Sequence, residues 1–245
     1  MKRALASAAW LLVLTVAASA QSLDLGGIIP QPGSTASGRI VQLVGLLTVL
    51  SIAPGLLVMV TSFTRFAIAF SFLRSGLGLQ TTPANLILVS LSLFMTFYVM
   101  APTFDRAWTT GLQPLIENQL SEQEAYARIT QPFREFMLGQ VRDKDLRLFD
   151  DLAKDTIKTT GDRSTVDLRI LIPAFMISEI RRGFEIGFLI ALPFLVIDMI
   201  VSTLTMSMGM MMLPPSVISL PMKILFFILI DGWNMLVGSL IRSYA

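Results

Sequence analysis

Between Arg39 and Arg65 the chain runs for 25 residues without a charge, and between Arg74 and Asp105 for another 30. Each run is long enough to cross about 30 Å of hydrocarbon as a helix. A spanning segment must pair its own backbone amides, because lipid offers them no partner. The expected fold is therefore an all-α membrane protein. The two runs form a first helical hairpin over residues 40–104, kinked at Pro54-Gly55 and turning around Arg65 and Arg74.

Residues 105–167 break the pattern with 9 Lys or Arg and 12 Asp or Glu, and no window among them could span a bilayer. This is a polar helical insert. Ser121 with Glu124 has the form of a capping box, and Pro132 is placed to begin a following helix. Phe133, Phe136, Met137 and Val141, then Phe149 and Leu152, recur at helical spacing with Arg134, Arg142 and Asp143 on the other side. Gly161 ends that pattern and Asp167 caps a new helix. Residues 168–245 are a second hairpin, with segments at about 168–207 and 216–242 joined by a methionine loop at 206–215 and bent at Pro173, Pro193 and Pro221. The whole makes two long kinked hairpins, four membrane-type segments in all.

With 53% hydrophobic residues, 15% charged and a mean hydropathy of +0.69, the composition agrees with a membrane chain. The absence of His and Cys removes disulfides, thiolate nucleophiles, imidazole acid-base chemistry and the common zinc and haem ligand sets. No phosphate loop of the Gly-x-x-x-x-Gly-Lys type occurs, so no cofactor, metal or enzymatic activity is expected. The excess of basic over acidic residues, 19 against 17, is supplied by Lys2 and Arg3 alone. That leaves no basic field for nucleic acid. Residues 1–20 have the form of a secretory signal: Lys2 and Arg3, an apolar core from Ala8 to Ala17, and Ala18-Ser19-Ala20 as the cleavage site. An uncleaved anchor is the alternative. Residues 21–39, rich in Gly and Pro, make a flexible linker. With residue 21 outside the cytoplasm, the Arg65 to Arg74 turn is cytoplasmic, the insert extracytoplasmic, and the methionine loop faces the cytoplasm.

That loop holds Met206, Met208, Met210, Met211 and Met212 ahead of the helix-stopping pair Pro214-Pro215. Thioether side chains are flexible and polarizable, so a cluster of them forms a surface that moulds to different partners. The bland reading is filling of an irregular helix junction. Asp198, Lys223 and Asp231 stand in strongly apolar sequence, where charges are costly and usually paired. Spacing allows Glu179 with Arg182 and Arg181 with Glu185 as local pairs. Lys223 has no acid within helical reach, so its partner comes from another helix or another subunit. Snorkelling to an interface and a proton relay are the other readings of these charges. Two intramembrane aspartates could also serve proteolysis, but neither sits in a Gly-x-Gly-Asp context. Gly183 and Gly187, four apart, permit close helix approach.

Five blocks resemble the FliP family of flagellar export-gate membrane proteins and its type III secretion counterparts. They are Thr61-Ser62-Phe63-Thr64-Arg65; Leu77-Gly78-Leu79-Gln80 with Thr82-Pro83; Gln131-Pro132-Phe133-Arg134-Glu135-Phe136-Met137; Gly209-Met210-Met211-Met212-Leu213-Pro214-Pro215; and Asp231-Gly232-Trp233. The resemblance implies a pore subunit of the bacterial inner membrane and flagellar basal body. Five copies would assemble with FliR and FliQ subunits into a helical cone, partly at periplasmic level, that passes unfolded substrates. It implies a gasket at Met210, Met211 and Met212, with Met208 beside it and Phe136, Phe149 and Glu179 helping to close the pore. Glu179, Asp198 and Lys223 match family residues near the gate, and Arg181, Arg182, Glu185 and Asp231 join them as ion-pair or assembly contacts. The competing function is a proton-coupled ion or solute transporter using Asp198, Lys223 and Asp231.

Overall fold

The computed structural model describes residues 36–154, 166–209 and 214–244, and every regular element among them is helical. The chain divides into two units, one up to Gly55 and one from Leu56. The described part of the first is the beginning of α1 (Ala36–Val60), which starts inside the expected linker and carries Pro54 within it. The expected signal segment, the rest of the linker and Gly161 lie outside the described residues.

In the second unit the structure departs from the expected hairpin turn. Arg65 and Arg74 belong to a 14-residue helix, α2 (Phe63–Gly76). Its buried residues Phe66, Ala69, Phe70 and Leu73 fall at helical spacing, so the segment is a packed helix with Arg65 on its inner side. Arg74, in the last turn, donates to Asn85 Oδ1 at the start of α3 (Asn85–Ala107). α3 continues through a π-helical turn, Trp108–Leu112, into the short α4 (Gln113–Ile116).

The insert follows as α5 (Glu122–Gln140) and α6 (Asp143–Ala153). Ser121 and Glu124 form the expected capping box in both directions. Pro132 does not begin a helix; it lies buried inside α5. An interior proline loses one backbone hydrogen bond, and packing keeps the helix continuous here, with Phe133 against Phe104 at 5.8 Å between ring centroids. Leu152, expected on the apolar face, is 69% exposed because α6 ends one residue later.

Asp167 caps α7 (Leu168–Ser207) by accepting from the Arg169 amide at 2.8 Å. This helix has 40 residues, a length of about 60 Å. α8 (Pro215–Leu229) and α9 (Gly232–Arg242) follow, bent by 65° relative to each other. The bend is at Asp231, not at Pro221, and the expected single segment over 216–242 is two helices. Asp231 takes left-handed backbone angles, φ 52° and ψ 51°. Gly232 then lets Phe227 close on the elbow: a Cβ there would lie 2.2 Å from two atoms of the Phe227 ring.

Three helices are long and apolar enough to cross a membrane, and a fourth span is reached if α8 and α9 count as one. The protein is an all-α membrane protein. One core joins α2 and α3 to α7, α8 and α9 around Phe66, Phe70, Phe194 and Phe227. A second sets the insert on the first turns of α7 through Met137, Val141, Leu146, Leu171 and Phe175. α2 lies along α7, where Gly183 and Gly187 face Ile68 and Phe72.

Candidate gate and charge network

At the junction of the two cores, Arg65 and Glu179 are both fully buried and form an ion pair. Arg65 reaches this place because α2 turns its apolar stripe inward. Its Nε donates to Glu179 Oε2 at 2.9 Å and Nη2 donates to Oε1, a forked pairing that a planar guanidinium is built to make. The remaining donors are also engaged, Nη1 with the Ser243 carbonyl at 3.0 Å and hydroxyl at 2.9 Å, and Nη2 with Gln140 Oε1 at 3.2 Å. Tyr244 lies under the guanidinium at 3.7 Å from ring centroid to Cζ, and its hydroxyl donates to Glu179. One network therefore ties together α2, the end of α5, the first third of α7 and the turn after α9. Glu179 is committed to Arg65 across 114 positions in the chain instead of to Arg182, the expected partner. Arg182 reaches Gln140 Oε1 at 3.5 Å.

Next to Glu179 on α7, Ser178 receives the insert. Its hydroxyl donates to Asp145 Oδ2 at 2.7 Å, and the Arg142 amide donates back to it at 3.1 Å. Arg142 also grips Asp145 with two bonds of 2.9 Å. Burial pushes the Asp145 carboxyl up, but the hydrogen bonds from Ser178 and Arg142 and the Arg142 charge outweigh it and hold the group below its ordinary range. Arg181 and Glu185 pair at 2.8 Å on the exposed side of α7, as their spacing leads one to expect.

A second inter-helix pair lies toward the far end of α7. Lys223 of α8 donates to Asp198 Oδ2 at 2.5 Å and to the carbonyl of Gly76 at 3.0 Å, so one ammonium joins three helices. Its partner is on another helix, as the absence of a nearby acid in sequence requires. Asp231 stays at the elbow, exposed, where it accepts from Asn234 Nδ2 at 3.2 Å. The structure thus brings together two of the three residues a relay would use.

Met206 and Met208 close α7 with side chains 68% and 72% exposed, and Gly209 follows at φ +74°. Met210, Met211 and Met212 lie outside the described residues. Phe136 and Phe149 are half-buried in the core between the insert and α7. Phe136 stacks on Tyr244 at 5.9 Å and meets Phe175 edge-on at the same distance. Among the described residues no group of three or more potential metal ligands occurs. Gln140, Ser243 and Tyr244 were not legible as site residues. The single usable signal for Arg65 was its place in the block Thr61 to Arg65.

The sequence profile of the FliP family matches residues 46–240. The chain belongs to the FliP family. It is 67% identical over 215 residues to the flagellar biosynthetic protein FliP of Rhizobium meliloti, covering 88% of this chain and 87% of that one. It is 61% identical to the Agrobacterium fabrum protein of the same name across 100% of both chains, and 49% identical to the Bacillus subtilis one over 83% and 91%. The matched span takes in Arg65, Gln140 and Glu179 of the buried network, though not Ser243 and Tyr244, and both members of the Asp198–Lys223 pair. It also takes in the FliP family blocks that build them: Thr61 to Arg65 delivers the buried arginine, Leu77 to Gln80 lies beside Lys223, and Asp231-Gly232-Trp233 makes the elbow.

Proposed function

We propose that the protein is a non-enzymatic pore subunit of a flagellar, type III protein export gate, passing unfolded chains across the bacterial inner membrane. The observation that carries this reading is family membership along nearly the whole described chain, with relatives named as flagellar biosynthetic proteins. Physical features support it. α7 is about twice as long as the hydrocarbon is thick, so roughly half of it stands outside lipid. The charges from Glu179 to Glu185 fall in its first half, which suits a part held at periplasmic level with the insert.

In this reading five copies surround an axis together with FliR and FliQ subunits, forming a helical cone in the flagellar basal body after a signal peptide is removed near Ala20. Met210, Met211 and Met212 from each copy, with Met208 beside them, form a compliant gasket. Thioethers present no fixed hydrogen bonds, so they hold back water and ions yet yield to any polypeptide. Phe136 and Phe149 hold the insert against α7, so that closure of the pore rests on their packing. Arg181, Arg182, Glu185 and Asp231 contribute assembly contacts.

The test replaces Met210 to Met212 with glycines in the assembled complex. Small-ion leak across the membrane should rise while part of the secretion persists. An unchanged leak in fully assembled complexes removes the gasket.

A further inference from the structure

We propose that the cleft beside the Asp198–Lys223 pair binds the backbone of an extended polypeptide, and that its occupant is the chain in transit. The proposal rests on the pore reading and adds to it a binding site with defined chemistry. The cleft has a volume of about 490 Å³ and lies between the end of α2, the last turns of α7 and the start of α8.

Its polar groups are left with specific unmet capacity. Lys223, 5% exposed, has three ammonium protons, of which Asp198 Oδ2 and the Gly76 carbonyl take two. Among the described residues only Oδ2 of Asp198 has a partner, so Oδ1 is open to accept. Ser219 is 2% exposed, lines the cleft, and its hydroxyl has no hydrogen-bond partner among the described residues. The Ser219 hydroxyl is not shut away from solvent, so it opens onto the cleft, where a ligand's acceptor can take the place of water. Ser202, Ser216 and Gln80 add further polar groups to the walls.

The charges of Asp198 and Lys223 cancel, so the cleft selects neither a net anion nor a net cation. What remains is a set of donors, Lys223 and Ser219, facing an acceptor, Asp198 Oδ1. A neutral amide complements that set: its carbonyl takes the ammonium proton and the Ser219 hydroxyl, and its N–H goes to Asp198. Extended backbone carries such an amide at every residue and in every sequence. A site that reads only the backbone serves many different substrates, which side-chain recognition could not. Its position fits as well, since Pro215, the last residue of the methionine loop, lines the cleft.

The test uses the assembled gate in cells, holding an export substrate stalled by a tightly folded block at its trailing end. A photoreactive benzoylphenylalanine is placed at Ser202 or Gln80 in the cleft, and at Met208 beside the loop as a control. Substrate adducts are expected at the cleft positions, disappearing when the substrate is released. Adducts at Met208 with none at Ser202 or Gln80 overturn the cleft while leaving the pore standing, and so does a pattern in which Met208 captures substrate while the cleft positions capture only the gate chain's own methionine loop. No substrate adduct at any of the three removes the pore reading as well. Independently, Ser219→Ala should lower the export rate per assembled gate about fivefold, the loss of one hydrogen bond, with ion leak unchanged. An unaltered export rate in that variant also overturns the proposal.

Discussion

Arg65 is the residue on which the packing of this chain turns. It is fully buried, and each of its donor groups is directed to Glu179, Gln140 or Ser243. Removing one member of such a pair strands the other charge without water, which costs about 3–5 kcal/mol. Arg65→Met should therefore lower the thermal stability of the detergent-solubilised protein severely. Arg65→Met combined with Glu179→Leu should recover much of it, because no uncompensated charge is then buried. A double variant as unstable as the single one means that stability resides in the wider network and not in the pair. Arg65→Lys is not conservative here: an ammonium cannot span the carboxylate fork, Gln140 and Ser243 together. Spacing rules see partners three or four residues apart, and for Arg181 with Glu185 they succeeded. Glu179 finds Arg65 through tertiary packing across more than a hundred residues, and no local pattern encodes that.

Among the elements, α2 and α6 show how a helix can be hidden in sequence or held by chemistry. α2 escaped notice because Arg65 and Arg74 read as the polar ends of a turn, although Phe66, Ala69, Phe70 and Leu73 already carried a helical stripe. Its seat on α7 depends on two small residues that were legible in sequence. A Cβ at Gly187 would fall 2.6 Å from Phe72 Cγ and 2.8 Å from its Cβ, and one at Gly183 would fall 3.0 Å from Ile68 Cβ. Gly187→Ala should destabilise the α2–α7 contact by about 1–3 kcal/mol, and Phe72→Ala on that background should restore part of the loss; both are read by thermal unfolding. If Gly187→Ala has no effect, the helices can separate at little cost. α6 is held by Asp145 on Ser178 and Arg142. Because the folded carboxyl is held below its unfolded value of about 3.9, its stabilisation is complete above that value and is lost as pH falls through the folded value. Hydrogen-exchange protection in α6, taken relative to the intrinsic rate at each pH, should fall on acidification below about pH 4, and Asp145→Asn should flatten that response. An equally steep response in the variant places the acid sensitivity elsewhere. Caps at Ser121 and Asp167 were readable because their chemistry is local, whereas the break at Asp231 was not: an aspartate in left-handed geometry is held there by the packing of Phe227 over Gly232.

At the scale of the whole molecule, the decisive mismatch is between apolar surface and bilayer thickness. Exposed large apolar residues run along α7 from Ile177 through Phe184, Phe188, Leu195 and Met199 to Leu204, a stretch of about 42 Å at the helical rise. Hydrocarbon covers only about 30 Å. The excess must be covered by protein, and the interrupting charges Arg181 and Glu185 fix which end it is, since they sit beside Phe184. In the proposed gate, neighbouring subunits supply that cover. Photoreactive benzoylphenylalanine at Phe184 should therefore yield adducts with gate subunits in native membranes, and their yield should collapse when the complex is dissociated. The same probe at Ile177, still nearer the insert, should behave alike. If both positions react only with lipid, then α7 lies tilted within the bilayer over its whole length. A steep tilt would place Arg181 and Glu185 in hydrocarbon, where only their mutual 2.8 Å pairing could offset the cost. Arg181→Leu separates the two arrangements further: it would leave Glu185 unpaired in lipid and abolish insertion of a tilted helix, but it should be tolerated by one that stands in water or against protein.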